Sequence, residues 1–224
     1  MCTFGLFYKA WSNQRFLDLM NKIKLSIITF SLLAGVILSL TFFKTQPVQL
    51  QAGTWFGEQA KPLPDFQLLD QNMEKFGKEK LTGKWSLLFF GYTNCPDVCP
   101  GSLQMLDNML NSIEDKDIKK QIQVLFISVD PWRDTPQKLK QYVQYFNPEF
   151  LSASADIPQL NVLTKALGIL HYTGKTEDSQ QEYDVAHSGS ITLIDPQARY
   201  IGIFSSPHDS NKIAVDMKTI ISHN

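Results

Sequence analysis

Cysteine is scarce, with three in 224 residues. That excludes a small scaffold framed by disulfides, which needs several bridges. Excess charge of one sign is also lacking: 21 Lys and Arg face 22 Asp and Glu, for a net charge of −1. No general basic surface is therefore available to neutralise nucleic-acid phosphates. Twelve Gly and eleven Pro are too few for a collagen-like or low-complexity chain. No internal repeat is visible. Apolar residues at 43% and aromatics at 12% argue against disorder and for one folded domain of ordinary size.

One long uncharged run is present, Leu25 to Phe43, LSIITFSLLAGVILSLTFF. As a helix it reaches roughly 28 Å, enough for the hydrocarbon core of a bilayer. Its polar members are Ser and Thr, which can bond back to their own helix. Before it stand Lys9, Arg15, Lys22 and Lys24 against Asp18 alone, while the part after Lys44 carries an acidic excess. The positive-inside rule then keeps the N-terminus in the cytoplasm and sends the rest across. Lys44-Thr45-Gln46-Pro47 offers no small-residue cleavage pattern, so the run reads as an uncleaved anchor. The expected organisation is a short cytoplasmic N-terminus over 1–24, a transmembrane anchor over 25–43, a tether over 44–60 and an exported domain over 61–224. A bacterial inner membrane with the domain in the periplasm is the expected location, and the mitochondrial inner membrane is the alternative.

Within the exported part, Phe66 to Leu69 reads as a short strand before a polar turn. Trp85 to Tyr92 is a continuous apolar run of strand length, as in a strand buried on both faces. Ser102 to Glu114 carries Leu103, Leu106, Met109, Leu110 and Ile113 at helical spacing. Ile122 to Val129 reads as a second buried strand. Pro136 to Phe146 reads as a helix with Thr135 at its N-cap, and Ile157 to Leu167 as another, preceded by Asp156 and stopped at Gly168. Tyr183 to Val185 is a candidate short strand. Ile191 to Ile194 and Tyr200 to Phe204 form a hairpin around Asp195 to Ala198, and Ser210 to Ile221 is a last helix. A β-α-β opening makes a parallel pair, and the closing hairpin adds antiparallel strands. The expected fold is α/β: a thioredoxin-like mixed sheet flanked by helices, with an N-terminal extension and an insertion near 147–190.

Two cysteines stand together in Thr93-Asn94-Cys95-Pro96-Asp97-Val98-Cys99-Pro100, between the first buried strand and the first long helix. The positive end of a helix dipole there is expected to lower thiol pKa and favour thiolate. At i and i+4 the sulfurs share one face of a helical turn. Three readings are open: a structural disulfide, a redox dithiol, and a clamp for a soft metal. A bridge over so short a loop adds little stability. Two thiolates suit Cu(I) or zinc and leave room for an imidazole. Of His171, His187, His208 and His223, only His187 falls just before the apolar strand Ile191–Ile194. In a thioredoxin-like plan that junction faces the cysteine turn, where thiol–disulfide enzymes keep a cis-proline. No proline occurs over 185–191, so His187 is a candidate third ligand, set against an ordinary core or surface histidine. Asp130 and Asp134 read as turn and cap residues, or as support for the cysteine turn from the end of the second strand. Asp97 is a candidate modulator of metal charge or partner contact.

FFGYTNCPDVCP (89–100), ISVDPWRDTP (127–136) and YDVAHSGSITLIDPQ (183–197) together resemble the Sco/SenC family, copper-binding assembly factors of cytochrome c oxidase. The resemblance covers roughly residues 62–222. It implies a membrane-anchored thioredoxin-like protein that holds Cu(I) or Cu(II) through Cys95, Cys99 and His187. It also implies a role in metallating the binuclear copper A site of oxidase subunit II, or in reducing its cysteines beforehand. The family often has an acidic residue directly before the histidine; here it is Ala186, which bears on how the imidazole is oriented. Another copper chaperone or a thiol reductant is an expected further partner.

A metallochaperone role requires all three residues. A thiol–disulfide oxidoreductase requires Cys95 and Cys99 but not His187, and the longer spacing and missing cis-proline count against a general enzyme of that kind. A peroxidase sharing the fold places a proline ahead of its reactive cysteine, and residues 88–94 contain none.

Overall fold

The computed structural model describes residues 19–36, 49–173 and 185–223, with Glu58, Thr173 and residues 185–187 described by backbone alone. Two compact units divide at Pro47–Val48. In the first, helix α1 spans Leu19–Val36, is exposed, and is long and apolar enough to cross a membrane. It starts six residues before the expected anchor and takes in Lys22 and Lys24. Residues 37–43 of that anchor, and residues 1–18 of the expected cytoplasmic segment, lie outside the described residues. At 1.5 Å per residue α1 is about 27 Å long, which fits a membrane anchor.

In the second unit a nine-stranded mixed sheet forms the centre. Its path runs β1 (Gly53–Trp55), β11 (Arg199–Phe204), β10 (Ile191–Ile194), β5 (Trp85–Gly91), β6 (Ile122–Ser128), β7 (Leu151–Ser154), β3 (Leu68–Asp70) and β4 (Lys75–Phe76). A short β2 (Lys61–Pro62) also pairs with β11. Strands β5, β6 and β7 are parallel, and β10, β11 and β3 pair antiparallel with their neighbours.

The apolar runs of β5 and β6 are continuous because both faces are covered. Leu87, Phe89, Val124 and Phe126 face one core, shared with helices α2 (Val98–Asn111), α4 (Pro136–Phe146) and α6 (Ser210–Ser222). Leu88, Phe90, Leu125 and Ile127 face the other, shared with α5 (Ile157–Leu167). The alternation follows from the two-residue period of a strand. This is the mixed sheet with helices on both faces that the sequence pattern implies.

Several expected boundaries hold. The α4 bounds agree, with the Thr135 side chain accepting from Lys138 N. Helix α5 is capped by Asp156 and stopped by Gly168 at φ +69°. Other features depart from expectation. Helix α2 begins at Val98, four residues early, so Cys99 lies in its first turn. Pro100 is no obstacle, because first-turn N–H groups have no partner within the helix. The turn after β3 is a hairpin to β4, with Met73 at φ +66°. Helix α3 (Lys116–Lys120), capped by Asp115, and strand β7 have no expected counterpart. The strand expected at Tyr183–Val185 is β9 (Val185–His187), paired with β8 (His171–Thr173); Tyr183 and Asp184 lie outside the described residues.

The tether is the largest correction. Residues 49–60 belong to the folded unit, since β1 pairs with β11 over Gly53–Trp55. Buried Asp216 on α6 accepts from the N–H groups of Gln51 (2.7 Å), Ala52 (2.8 Å) and Gly53 (3.1 Å). A carboxylate accepting three backbone N–H groups fixes a segment whose own sequence has little strand signal. Asp216→Ala is expected to leave these donors unsatisfied and to lower stability by about 2 kcal/mol or more. Urea unfolding of the full chain in detergent checks this; a loss below about 0.5 kcal/mol, the range of an ordinary surface change, overturns it.

Candidate metal and redox centre

Strand β5 ends at Gly91, paired with Ser128 at the end of β6. From these adjacent ends leave two loops, one carrying Cys95 and the other running from Val129 to Thr135. A third segment arrives from the opposite direction. Strand β10 is antiparallel to β5 with Ile191 opposite Phe89, so Ser188–Ser190 approaches the same end of the sheet. A Cβ on Gly189 would stand 3.7 Å from the Val98 side chain, which places that segment against the start of α2.

Cys95 and Cys99 are thiols, not a disulfide. The Cys99 N–H donates to Cys95 Sγ at 3.4 Å, so the first sulfur folds back over the opening turn of α2. Cys95 is half-buried; Cys99 is fully buried. The close seat of Cys99 depends on Gly91, where a Cβ would stand 2.6 Å from Cys99 Sγ and 2.8 Å from Phe126 Cε2. The glycine that ends β5 is thus the space into which the helix start packs.

Burial pushes the Cys99 thiol far above its ordinary range, and the neighbouring Cys95 adds to this, while a hydrogen bond to the Tyr92 backbone works the other way. This corrects the expectation of an activated thiol at Cys99. A helix end favours a thiolate by at most a few kcal/mol, and desolvation in a closed core outweighs it here. The Tyr92 hydroxyl hydrogen-bonds the Cys95 thiol, and burial raises its pKa too. The Arg133 guanidinium lies 5.7 Å from the centre of the Tyr92 ring and is paired to Asp130 at 2.5 Å.

Asp130 and Asp134 are both buried. Thr135, not Asp134, caps α4. Asp134 instead accepts from Thr93 N (2.9 Å), from the Thr93 hydroxyl and from Ser128 Oγ (2.6 Å). Of the two readings of Asp134, support for the cysteine loop fits these contacts. Asp97 is exposed at the N-cap of α2, and its side chain makes no capping bond.

His187 is the last residue of β9, opposite His171 in the register, and directly precedes the Ser188–Ser190 segment whose Gly189 approaches α2. Its side chain lies outside the described residues, as do Cys2 and Asp184. Among the described residues no group of three His, Cys, Asp or Glu gathers as a metal site. The other histidines have local partners: His171 with Asn161 Oδ1 (3.2 Å), His208 with the Phe204 carbonyl (3.3 Å) and His223 with the Thr219 carbonyl (2.8 Å). Sequence reasoning passed over Thr93, Ser128, Arg133 and Lys138. Their signal was adjacency to the two motifs, since Thr93 is two residues before Cys95 and Arg133 sits between the two aspartates.

A mixed sheet with helices on both faces and a dithiol at the end of its first parallel strand defines a thioredoxin-like protein. Residues 57–222 match the SCO1/SenC family, and the chain belongs to that family. A putative copper-binding protein of Stutzerimonas stutzeri is 36% identical over 157 residues, covering 70% of this chain and 76% of that one. An SCO2-like protein of Rickettsia prowazekii is 36% identical over 181 residues, covering 80% and 87%. Among solved structures, copper-bound ScoI of Bradyrhizobium japonicum is 33% identical with a TM-score of 0.61, covering 70% of this chain and 98% of that one. Yeast Sco1 is 29% identical with a TM-score of 0.67, covering 73% and 99%.

The burial difference predicts the order of alkylation. With iodoacetamide at pH 8, Cys95 is expected to react at least about ten times faster than Cys99, because only thiolate reacts and Cys99 is both buried and held protonated. Peptide mass mapping over time checks this; equal rates would show that Cys99 is open to solvent.

Proposed function

We propose that this protein is a membrane-anchored copper chaperone that holds one copper through Cys95, Cys99 and His187 and helps assemble the binuclear copper A site of cytochrome c oxidase subunit II. The observation that carries the reading is the meeting of the Cys95/Cys99 dithiol with the chain that follows His187 at one end of the sheet. Its family is one of copper-binding proteins in cytochrome c oxidase assembly, and relatives are solved with copper bound. The basic flank of α1 supports a cytoplasmic N-terminus, with the folded unit in the periplasm of a bacterium.

The donor set fits the cargo. Two sulfurs at i and i+4 on one turn are soft ligands suited to Cu(I), and an imidazole adds a donor suited to Cu(II) as well. Copper supplies the driving force that removes the thiol protons, so binding releases protons and strengthens as pH rises. The protein holds Cys99 in a dry pocket and leaves Cys95 at its mouth, with Tyr92 bonded to the outer sulfur. Replacement of these ligands by a partner's thiols would then begin at Cys95. Ala186 leaves His187 without an acidic neighbour directly before it.

A thiol–disulfide reductase acting on the cysteines of an exported partner is the second reading. It is favoured by the pairing of a half-buried with a fully buried thiol, one placed to attack and the other to resolve.

Titration of the full chain in detergent, reduced and without oxygen, against a competing Cu(I) chelator separates the two. One equivalent is expected to bind tightly, with His187→Ala at least about tenfold weaker, and with Cys95→Ser or Cys99→Ser losing tight binding. Equal weak binding by parent and His187→Ala overturns the chaperone reading in favour of the reductase.

A further inference from the structure

We infer that Asp134 is a positioning residue for the dithiol: through Thr93 it holds the loop that carries Cys95 in the conformation in which the two sulfurs can act together. The inference deepens the proposed function and rests on the same site.

The loop from Tyr92 to Asp97 is irregular and half-open, built to move unless something ties it down. The tie is a carboxylate with a side chain sealed from solvent. Both of its oxygens reach the loop: Oδ2 accepts from Thr93 N at 2.9 Å, and Oδ1 accepts from the Thr93 hydroxyl. Oδ2 also accepts from Ser128 Oγ at 2.6 Å, which anchors the carboxylate to the end of β6. Lys138, at 3.5 Å on the first turn of α4, is a cation that faces it. That ammonium in turn donates to Asn94 Oδ1 at 2.6 Å, the next residue of the loop. Two consecutive loop residues, Thr93 and Asn94, are therefore clipped to the start of α4.

The choice of partners is what separates positioning from ordinary capping. An aspartate before a helix normally turns its oxygens to the first N–H groups of that helix. Here Thr135 does so, and Asp134 is left to bond across to another loop. Burying a charge is expensive unless every acceptor is satisfied. The loop supplies two of those donors, so the carboxylate and the loop hold each other in place. Cys95 is two residues along, and its N–H donates to the Tyr92 carbonyl at 3.3 Å, so little slack remains between clip and sulfur.

The test compares Asp134→Asn, Thr93→Val and the double variant with Asp195→Asn, in the full chain in detergent. Asp195 is a fair control: another buried carboxylate that accepts N–H groups from Gln197 (3.0 Å) and Arg199 (2.8 Å), at the far end of β10. Two constants are read beside Tm. One is Cu(I) affinity against a chelator. The other is the equilibrium with glutathione disulfide, in which the two thiols yield two electrons and two protons, form the Cys95–Cys99 bond and leave two reduced glutathiones.

Asp134→Asn is expected to weaken copper by about 10- to 100-fold and to disfavour the Cys95–Cys99 disulfide by roughly tenfold, a coupling of ordinary size for neighbouring residues. Thr93→Val should move both constants the same way, and the double variant should be little worse than Asp134→Asn alone. Asp195→Asn should lower Tm and leave both constants unchanged. The inference is overturned if Asp134→Asn changes Tm alone, or if Asp195→Asn shifts the constants as much. A parent that holds no copper while its disulfide equilibrium responds to Asp134→Asn would sink the chaperone reading and leave the positioning role standing.

Discussion

Because Gly91 and Ser128 are paired across β5 and β6, the two loops that leave these strands start side by side. The rest of the site depends on that parallel register. It sets the thiol loop beside the loop that carries Asp130, Arg133 and Asp134, which no hairpin connection could do at this spacing in the sequence. The register is secured by burial on both faces, since a slip of one residue would exchange Leu87 and Phe89 for Leu88 and Phe90 between two different cores. The chemistry therefore sits at the carboxyl ends of parallel strands, where an open α/β sheet leaves a crevice.

The charges beneath the loop are arranged in two local pairs, Asp130 with Arg133 and Asp134 with Lys138. Each acid meets its base three or four residues along, so the neighbourhood of the sulfurs carries little net charge. The protonation of Cys99 is then governed by dehydration, not by a nearby cation. The helix start at Val98 is favourable for an anion in principle, but Cys99 faces Gly91 and Phe126 in the core and gains little from it. A thiol kept protonated in this way is protected from casual oxidation, and it is still available to a ligand strong enough to displace the proton.

Much of the fold was legible in the sequence where one force dominates. Strands β5 and β6 announced themselves as unbroken apolar runs because both of their faces are covered. Helices α4 and α5 were bounded by their caps, Thr135, Asp156 and Gly168, each of which acts within a few residues. What escaped was held by distant partners. Residues 51–53 form no local pattern, and they are fixed by Asp216, more than 160 positions later, and at Gly53 by the pairing with β11. Strand β7 is four residues long and gains its place from β6 and β3. The same division runs through the site. The spacing of Cys95 and Cys99 declared a dithiol, while the bond from Asp134 to Thr93 spans 41 positions and leaves no periodic trace. The sequence also misjudged Cys99, because helix position can be read from spacing but depth in the core cannot.

The two borders of the main sheet have a consequence of their own. One is formed by β1, three residues long, and β2, two residues long, which both line β11, and the other by β4, two residues long. A visiting strand needs a longer row of open backbone groups than either provides. Among the described residues, recruitment by strand addition and runaway self-association along the sheet are disfavoured at these borders. Encounters are thereby directed to the loops at the carboxyl ends of β5 and β6.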